Sequence, residues 1–149
     1  MYKYSDSTGV SLHDNRATEI SVSGNIVSFI FKDGFTVLAD NPHNTFEMSA
    51  YTGSSEFRFR LSGKNIGQNI TVYIFSKTEK ENVMLREEIP FFMLADRINK
   101  GSSKLEFITS YKSYDGFDSY VFICCLWSNG EPYDRECEVI ISADEVEYL

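Results

Sequence analysis

Apolar and polar residues alternate along most of the chain, and a period of two predicts β-strands. The clearest run covers residues 56–61, where Phe57, Phe59 and Leu61 alternate with charged residues. A strand of this kind buries one face and exposes the other to water. Alternating or apolar residues form ten runs and predict about nine strands in total; the runs cover residues 18–23, 26–31, 35–39, 56–61, 69–76, 83–88, 104–111, 117–127, 136–142 and 145–149.

Short turns between these runs predict that neighbouring strands are antiparallel. The pairs Gly24-Asn25 and Asp33-Gly34 each separate two predicted strands and are typical of two-residue hairpin turns. Residues 18–39 therefore predict a meander of three strands. A further turn signal lies at residues 114–116 (YDG), and the segments 40–53 and 62–68 are predicted to be loop and turn.

Only one segment has a helical pattern. Phe91, Leu94 and Ile98 follow a spacing of i, i+3 and i+7, which places them on one face of a helix. Pro90 suits the first helical turn, and Gly101 suits the position after the last one. The spacing predicts a helix over about residues 90–100.

Length and composition agree with a single domain that covers residues 1–149. A chain of 149 residues has the usual size of one domain and can bury a core without disulfides. Aromatic residues make up 15% of the chain, which favours sheet. The predicted class is α+β, mostly antiparallel β, with the one helix over a face or an edge of the sheet. A rolled sheet or half-open barrel is the preferred shape, and a two-sheet sandwich is the alternative.

The net charge of −8 argues against two classes of partner. Nucleic acids and anionic membranes bind basic surfaces, so neither is predicted as a partner. The first ten residues lack the basic and apolar segments of a signal peptide, and no stretch approaches 18 consecutive apolar residues. Three cysteines, two of them adjacent, do not indicate a disulfide framework. These features predict a cytoplasmic protein with free thiols.

Two parts of the chain resemble a group of small bacterial proteins of undetermined function. Residues 12–16 (LHDNR) and 31–35 (FKDGF) resemble the opening of these proteins. Their closing half is similar to residues 114–117 (YDGF), 125–127 (CLW), 132–133 (PY), 135–137 (REC) and 143–146 (ADEV). Some small acidic proteins of this type resemble the immunity partners of secreted bacterial toxins. The resemblance implies a bacterial cytoplasmic protein and assigns no catalytic residue.

His13 and His43 are the candidates for acid–base chemistry. Asp14 follows His13, and a neighbouring carboxylate can orient an imidazole that acts as a general base. Asp14 and Asn15 also suit a turn before a strand, and this structural interpretation is preferred. His43 lies in a predicted loop and has weaker support. No catalytic residue is predicted.

The spacing of Cys124, Cys125 and Cys137 is not that of a metal site, because zinc ligands usually come in pairs about two to four residues apart. Adjacent residues of a strand point to opposite faces, so Cys124 and Cys125 cannot face one ion together. Cys137 could reach one of them across the hairpin of residues 117–127 and 136–142. Packing in the core is the preferred interpretation, and no metal or cofactor is predicted.

The last 19 residues concentrate the negative charge. Residues 131–149 contain seven acidic residues and one arginine, a net six of the eight negative charges. Alternation places two pairs of glutamates on common strand faces, and two aromatic residues nearby could supply an apolar anchor. A solvated edge that discourages aggregation is the other interpretation. The predicted surface for a basic protein partner consists of Glu136, Glu138, Glu145, Glu147, Trp127 and Tyr133.

The predicted function is therefore a non-enzymatic binding protein, immunity-like, with a basic protein as its partner. One alternative is a small-ligand binder or an enzyme with a pocket near His13. The other alternative is a self-associating structural subunit. The sequence does not determine the oligomeric state.

The cysteine pattern predicts three reduced thiols per chain. Titration of the purified protein with a thiol reagent, under denaturing and non-reducing conditions, should count three. A count of one per chain would reveal a disulfide and contradict the assignment to a reducing compartment.

Overall fold

The computed structural model describes residues 9–42, 44–78, 83–112 and 119–149, and antiparallel strands dominate it. His43 and the predicted turn at residues 114–116 lie outside these ranges. The described part of the chain forms twelve strands and two helices: β1 (Val10–Ser11), β2 (Asn15–Ala17), β3 (Glu19–Ser23), β4 (Ile26–Phe31), β5 (Thr36–Val37), β6 (Ala50–Tyr51), β7 (Ser55–Leu61), α1 (Ile66–Asn69), β8 (Ile70–Lys77), β9 (Met84–Ile89), α2 (Phe91–Asn99), β10 (Ser103–Lys112), β11 (Ser119–Ser128) and β12 (Asp134–Tyr148).

Nine of the strands form one sheet in the order β2-β10-β11-β12-β7-β4-β3, in which β8 also pairs with β12 and β9 pairs with β8. Strands β2 and β3 occupy opposite ends of this order, yet only Thr18 separates them in the chain. The two ends of the sheet therefore approach each other, and the sheet is rolled. The Thr18 amide donates to the Ile30 carbonyl at 2.9 Å, which extends the β3–β4 ladder to this point. The predicted α+β class with a rolled sheet is confirmed.

Strand β12 spans 15 residues and joins the two halves of the roll. Its first half pairs with β11 and β8, and its second half pairs with β7. The sequence predicts two strands here, and that prediction is wrong because a β-bulge takes the place of a turn. Ala143 pairs with Leu61 and Glu145 with Arg60, so Asp144 is the extra residue. The bulge interrupts the period of two without ending the strand.

The third strand of the predicted meander belongs to a different sheet. β5 pairs with β1 and β6 in a small three-stranded sheet and makes no ladder with β4. β4 has no free edge to offer, because β3 and β7 occupy both of its sides. Gly34 turns the chain away at a φ of 79°, and a Cβ atom there would collide with the Thr52 and Gly53 carbonyls. Asp33-Gly34 therefore forms a turn, but the predicted hairpin across it is wrong.

Phenylalanine rings fill the interior of the roll. Phe57 packs edge to face against Phe59 and Phe122, at centroid distances of 4.5 and 5.5 Å. Phe29 and Phe107 make the same contact at 5.6 Å, although β4 and β10 are not paired with each other. All five side chains are buried. Such ring pairs contribute about 0.5–1.5 kcal/mol each beyond the burial of apolar area, so they tie unpaired strands together.

Helix α2 packs its apolar face against β3, β8 and β10. Phe91, Leu94 and Ile98 are buried, as their spacing predicts. The helix begins at Phe91 and ends at Asn99, one residue inside the predicted limit at each end. The Asn99 side chain accepts from the Ile20 amide at 2.7 Å and donates to the Ile20 carbonyl at 2.9 Å. These two hydrogen bonds attach the end of the helix to β3.

Short elements account for the remaining differences from the sequence prediction. β1, β2 and β6 have only two or three residues each, so no alternation marks them in the sequence. α1 is a single helical turn that overlaps the segment predicted as a turn. Neither helix in the described ranges has the length and apolar character needed to cross a membrane.

Leu94→Ala should lower the free energy of unfolding by about 2–5 kcal/mol, because the Leu94 side chain is completely buried beneath α2. Phe92 lies on another face of the helix and is 71% exposed. Phe92→Ala is therefore the matched control, with an expected change below about 0.5 kcal/mol. Urea unfolding followed by circular dichroism measures both values, and equal values would contradict this packing of α2.

Candidate functional site

The outer face of the rolled sheet carries the four glutamates that the sequence singles out. Glu136 and Glu138 lie on the outer face of β12, because the residues that alternate with them are buried. The bulge in β12 restores the alternation, so Glu145 and Glu147 point to this face as well. The four carboxylates therefore lie along one face of a single strand.

Three of these four glutamates have an arginine partner on another strand of the sheet. The arginines come from β7 and β9, which are distant from β12 in the sequence. Among the described residues Glu136 forms no ion pair. The negative charge that accumulates along the sequence is therefore partly neutralised in space. The N···O distances are 2.9 Å for Arg60–Glu145, 3.6 Å for Arg58–Glu147 and 2.9 Å for Arg86–Glu138.

Trp127 is held against the same outer face, whereas Tyr133 is accessible. The Trp127 indole Nε1 donates to the Glu106 carboxylate at 2.9 Å, and the Arg16 guanidinium lies 4.9 Å from the centre of the ring system. Arg16 also donates to Glu106 at 2.7 Å, so the three side chains form one compact group. Tyr133 is 56% exposed in the segment before β12. Of the two predicted aromatic anchors, Tyr133 is the more open to a partner.

His13 supports a β-bulge in the neighbouring strand. Ile108 is the extra residue of this bulge in β10. The Ile108 carbonyl can only accept, so the His13 Nδ1, 2.6 Å away, donates to it. The other ring nitrogen, Nε2, lies 3.3 Å from the Asp14 carboxylate, and Asp14 has the left-handed φ of 61° within a turn. A cleft of about 260 Å³ adjoins His13. The hydrogen bond and the turn favour the structural interpretation of this residue pair.

The three cysteines carry free thiols in two different environments. Cys124 and Cys137 are buried and lie directly opposite each other in the β11–β12 ladder, while Cys125 is half-buried on the outer face. Burial raises the pKa of the Cys124 thiol and raises that of Cys137 to about 12. A thiol that stays protonated is a poor nucleophile. No group of three or more metal-ligating side chains occurs in the described ranges.

The strand pattern of the sequence does not predict the open sheet edge at β9. Among the described residues β9 pairs with β8 alone, and five of its six residues are exposed. A groove of about 780 Å³ begins where β9 ends, and its apolar lining includes Val22, Ile66, Ile70, Ile89, Phe91 and Phe92. Three consecutive charged residues at 86–88 are the sequence signal for such an edge, because charges protect strands that lack a neighbour.

No family model, no curated protein and no solved structure matches the chain. The resemblance to small bacterial proteins therefore stays a prediction. The clues to function are the chemistry and the geometry of the described residues.

Raising the pH above about 9 should destabilise the protein through Cys137. The ordinary pKa of a thiol is 9.0, and burial raises that of Cys137 to about 12 in the folded chain. Between these values the unfolded chain releases the proton and the folded chain keeps it. The contribution to stability is therefore complete below pH 9 and is lost as the pH rises to 12.

Urea unfolding at a series of pH values compares the wild type with Cys137→Ala. Three pH units at 1.36 kcal/mol each correspond to about 4 kcal/mol. The wild type should lose about this much more stability than the variant between pH 9 and 12. Parallel pH profiles would contradict the burial of an ionisable thiol at this position.

Proposed function

We propose that this protein binds another protein and that it takes an extended, basic segment of that partner along the free edge of β9. The observation that carries the proposal is a strand edge that no other described strand pairs with, together with an apolar groove at its end. Addition of a strand to an open edge is a common way to bind an extended peptide. A reducing, cytoplasmic setting fits the free thiols and belongs to the same proposal.

The backbone of β9 supplies the affinity in this proposal. β8 occupies one edge of β9, so the amide and carbonyl groups of the other edge point away from the sheet. A partner strand would pair with these groups, which have no partner strand among the described residues. Alternate side chains of the partner would then point to opposite faces of the extended sheet.

The charges on β9 favour a basic partner. Glu87 and Glu88 are exposed, and neither forms an ion pair within the described part of the chain. Arg86 precedes these two glutamates and already has partners within the chain. Its guanidinium contacts the Glu138 carboxylate at 2.9 Å and lies 3.5 Å from the centre of the Tyr73 ring. A lysine or arginine of the partner can therefore meet Glu87 or Glu88 without displacing an internal arginine. Complementary charge of this kind speeds association and selects partners.

The groove at the end of β9 provides an apolar anchor point. Phe92, at the start of α2, is 71% exposed and lines this groove together with Ile89 and Ile66. Central aromatic residues in a groove often carry a large part of the binding energy of an interface. We expect the partner segment to place one large apolar side chain there, after the basic residues that meet β9.

The outer face of β12 suits a partner less well than β9. A basic partner at Glu138, Glu145 or Glu147 would compete with the arginines that already contact these carboxylates. Partner binding by the six residues selected from the sequence stays a prediction. An immunity-like role is one biological setting in which a β9 interface would act.

A second candidate function is small-ligand binding beside His13, and the cleft of about 260 Å³ favours it. Its lining combines Ser11, Thr109 and Ser110 with the apolar rings of Phe107 and Phe122. Polar groups beside apolar rings are typical of ligand sites. His13→Ala tests this function directly, since a bound ligand in this cleft would contact the imidazole.

Charge reversal on β9 should weaken the binding of a basic extended peptide. The probe is a fluorescein-labelled peptide of alternating lysine and valine that ends in one leucine for the groove, and fluorescence anisotropy measures its dissociation constant. Glu87→Lys/Glu88→Lys should weaken binding by about tenfold or more, because lysines of the peptide would then meet lysines of β9. Binding to the wild type should also weaken as salt rises.

Glu145→Lys/Glu147→Lys is the matched control, because it changes the charge equally on β12. It should leave peptide binding within about twofold of the wild type, since neither residue lies on β9. Phe92→Ala should weaken binding while the thermal midpoint stays unchanged. If the control weakens binding as much as the β9 variant does, the peptide responds to the overall charge of the protein, and the proposal of a β9 interface is wrong.

Sedimentation velocity of the free protein tests self-association. A dimer would make a second copy of the chain the occupant of the β9 edge.

A further inference from the structure

The six arginines of the chain fall into two groups in the structure. Four of them lie on the outer face and contact a carboxylate at 3.6 Å or less: Arg16, Arg58, Arg60 and Arg86. The other two, Arg97 and Arg135, form no ion pair within the part of the chain that the structure describes. Both of these unpaired arginines line the same cleft. In a chain with 22 acidic residues this juxtaposition calls for a physical reason.

The cleft lies where the C-terminal end of α2 meets the β11–β12 connection. It has a volume of about 330 Å³, and its lining also includes Ser102, Ser128 and Asn129. Arg135 is directly opposite Leu126 in the β11–β12 ladder, and both residues belong to the inward-pointing series of their strands. The cleft therefore lies at one end of the roll, and it is separate from both β9 and His13.

Arg97 and Arg135 both lie near Cys137. The positive charge of Arg97 partly offsets the effect of burial, which is the main cause of the raised pKa of the Cys137 thiol. Cys137 is two residues from Arg135 on β12, so the two side chains point to the same face of that strand. Arg97 therefore lies close to the inward face of β12, near the end of the strand that carries Arg135.

Neither guanidinium group forms a hydrogen bond or an ion pair with the described residues of the cleft. The Ser102 hydroxyl donates to the Arg97 backbone carbonyl at 2.9 Å, and the Asn129 side-chain Nδ2 donates to the Gly101 carbonyl at 3.3 Å. Glu131 is the one acidic residue of the lining, and it forms no ion pair with either arginine. The half-buried guanidinium donors of Arg97 and Arg135 are therefore available to a ligand.

Helix electrostatics explain only one of the two arginines. Arg97 lies in the last turn of α2, where a positive charge interacts favourably with the helix dipole. Arg135 lies on a strand and has no such partner. Two like charges in one cleft repel each other, and a bound anion removes this repulsion.

We propose that Arg97 and Arg135 form a binding site for the oxyanion group of a small molecule, a phosphate or a carboxylate. The planar guanidinium fork donates two parallel hydrogen bonds to either group, which makes arginine the preferred residue for both. The cleft volume admits a small organic anion. Such a site attracts negative charge although the chain as a whole is acidic.

The test is a titration of the wild-type protein with inorganic phosphate and, separately, with malonate, at constant ionic strength. Proton–nitrogen NMR spectra follow the arginine Nε–H signals and the backbone amides of Asn129 and Gly130. We expect saturable shifts at these positions, and the anion with the lower dissociation constant identifies the phosphate or the carboxylate class. Absence of a saturable shift with both anions would overturn the proposal.

Arg97→Gln and Arg135→Gln should each weaken anion binding by about tenfold or more, because each removes a charge-assisted pair of hydrogen bonds. Lys32→Gln removes the same charge from the turn after β4 and should bind the anion as the wild type does. Equal weakening by all three substitutions would show a general charge effect and refute the site. If both arginine variants fail to fold, the map of wild-type shifts decides, since shifts outside the cleft would also refute it.

Discussion

Edge-to-face packing of phenylalanine rings holds the sheet in its rolled form. Phe29 on β4 meets Phe107 on β10 at 5.6 Å, and Phe57 on β7 meets Phe122 on β11 at 5.5 Å. Neither pair of strands shares a ladder, so these contacts exist only when the sheet curls around its own inner face. Leu94 of α2 is buried against the same core, which places the helix and therefore the groove beside β9.

The alternation that builds this core also determines where the charges lie. Each strand that sends apolar side chains inward sends the intervening polar ones outward. On the outer face, arginines of one strand meet glutamates of the next, as in Arg60–Glu145. Unsatisfied groups remain at the margins of the sheet: the open edge of β9 and the cleft of Arg97 and Arg135. Both functional proposals concern these margins, because there the fold leaves donors, acceptors or charges for another molecule.

Much of the fold could be predicted from the sequence because its signals are local. A strand such as β7 needs only the alternation of Phe57, Phe59 and Leu61, and α2 needs only the spacing of its apolar residues. The errors occur where a neighbour in space outweighs a local pattern. β4 already has two partners, so β5 pairs elsewhere, and a bulge at Asp144 continues a strand that the sequence divides.

By itself the sequence determined the α+β class, the longer helix α2 and the acidic balance of the chain, and it predicted free thiols. Each of these depends on composition or on residues within one turn or one strand. The tertiary structure alone decided the environment of each charge, because electrostatic partners are chosen by distance in space. Only the folded chain brings Arg58, Arg60 and Arg86 against the glutamates of β12. Only the folded chain brings Arg97 and Arg135, which are 38 positions apart in the sequence, to the same cleft.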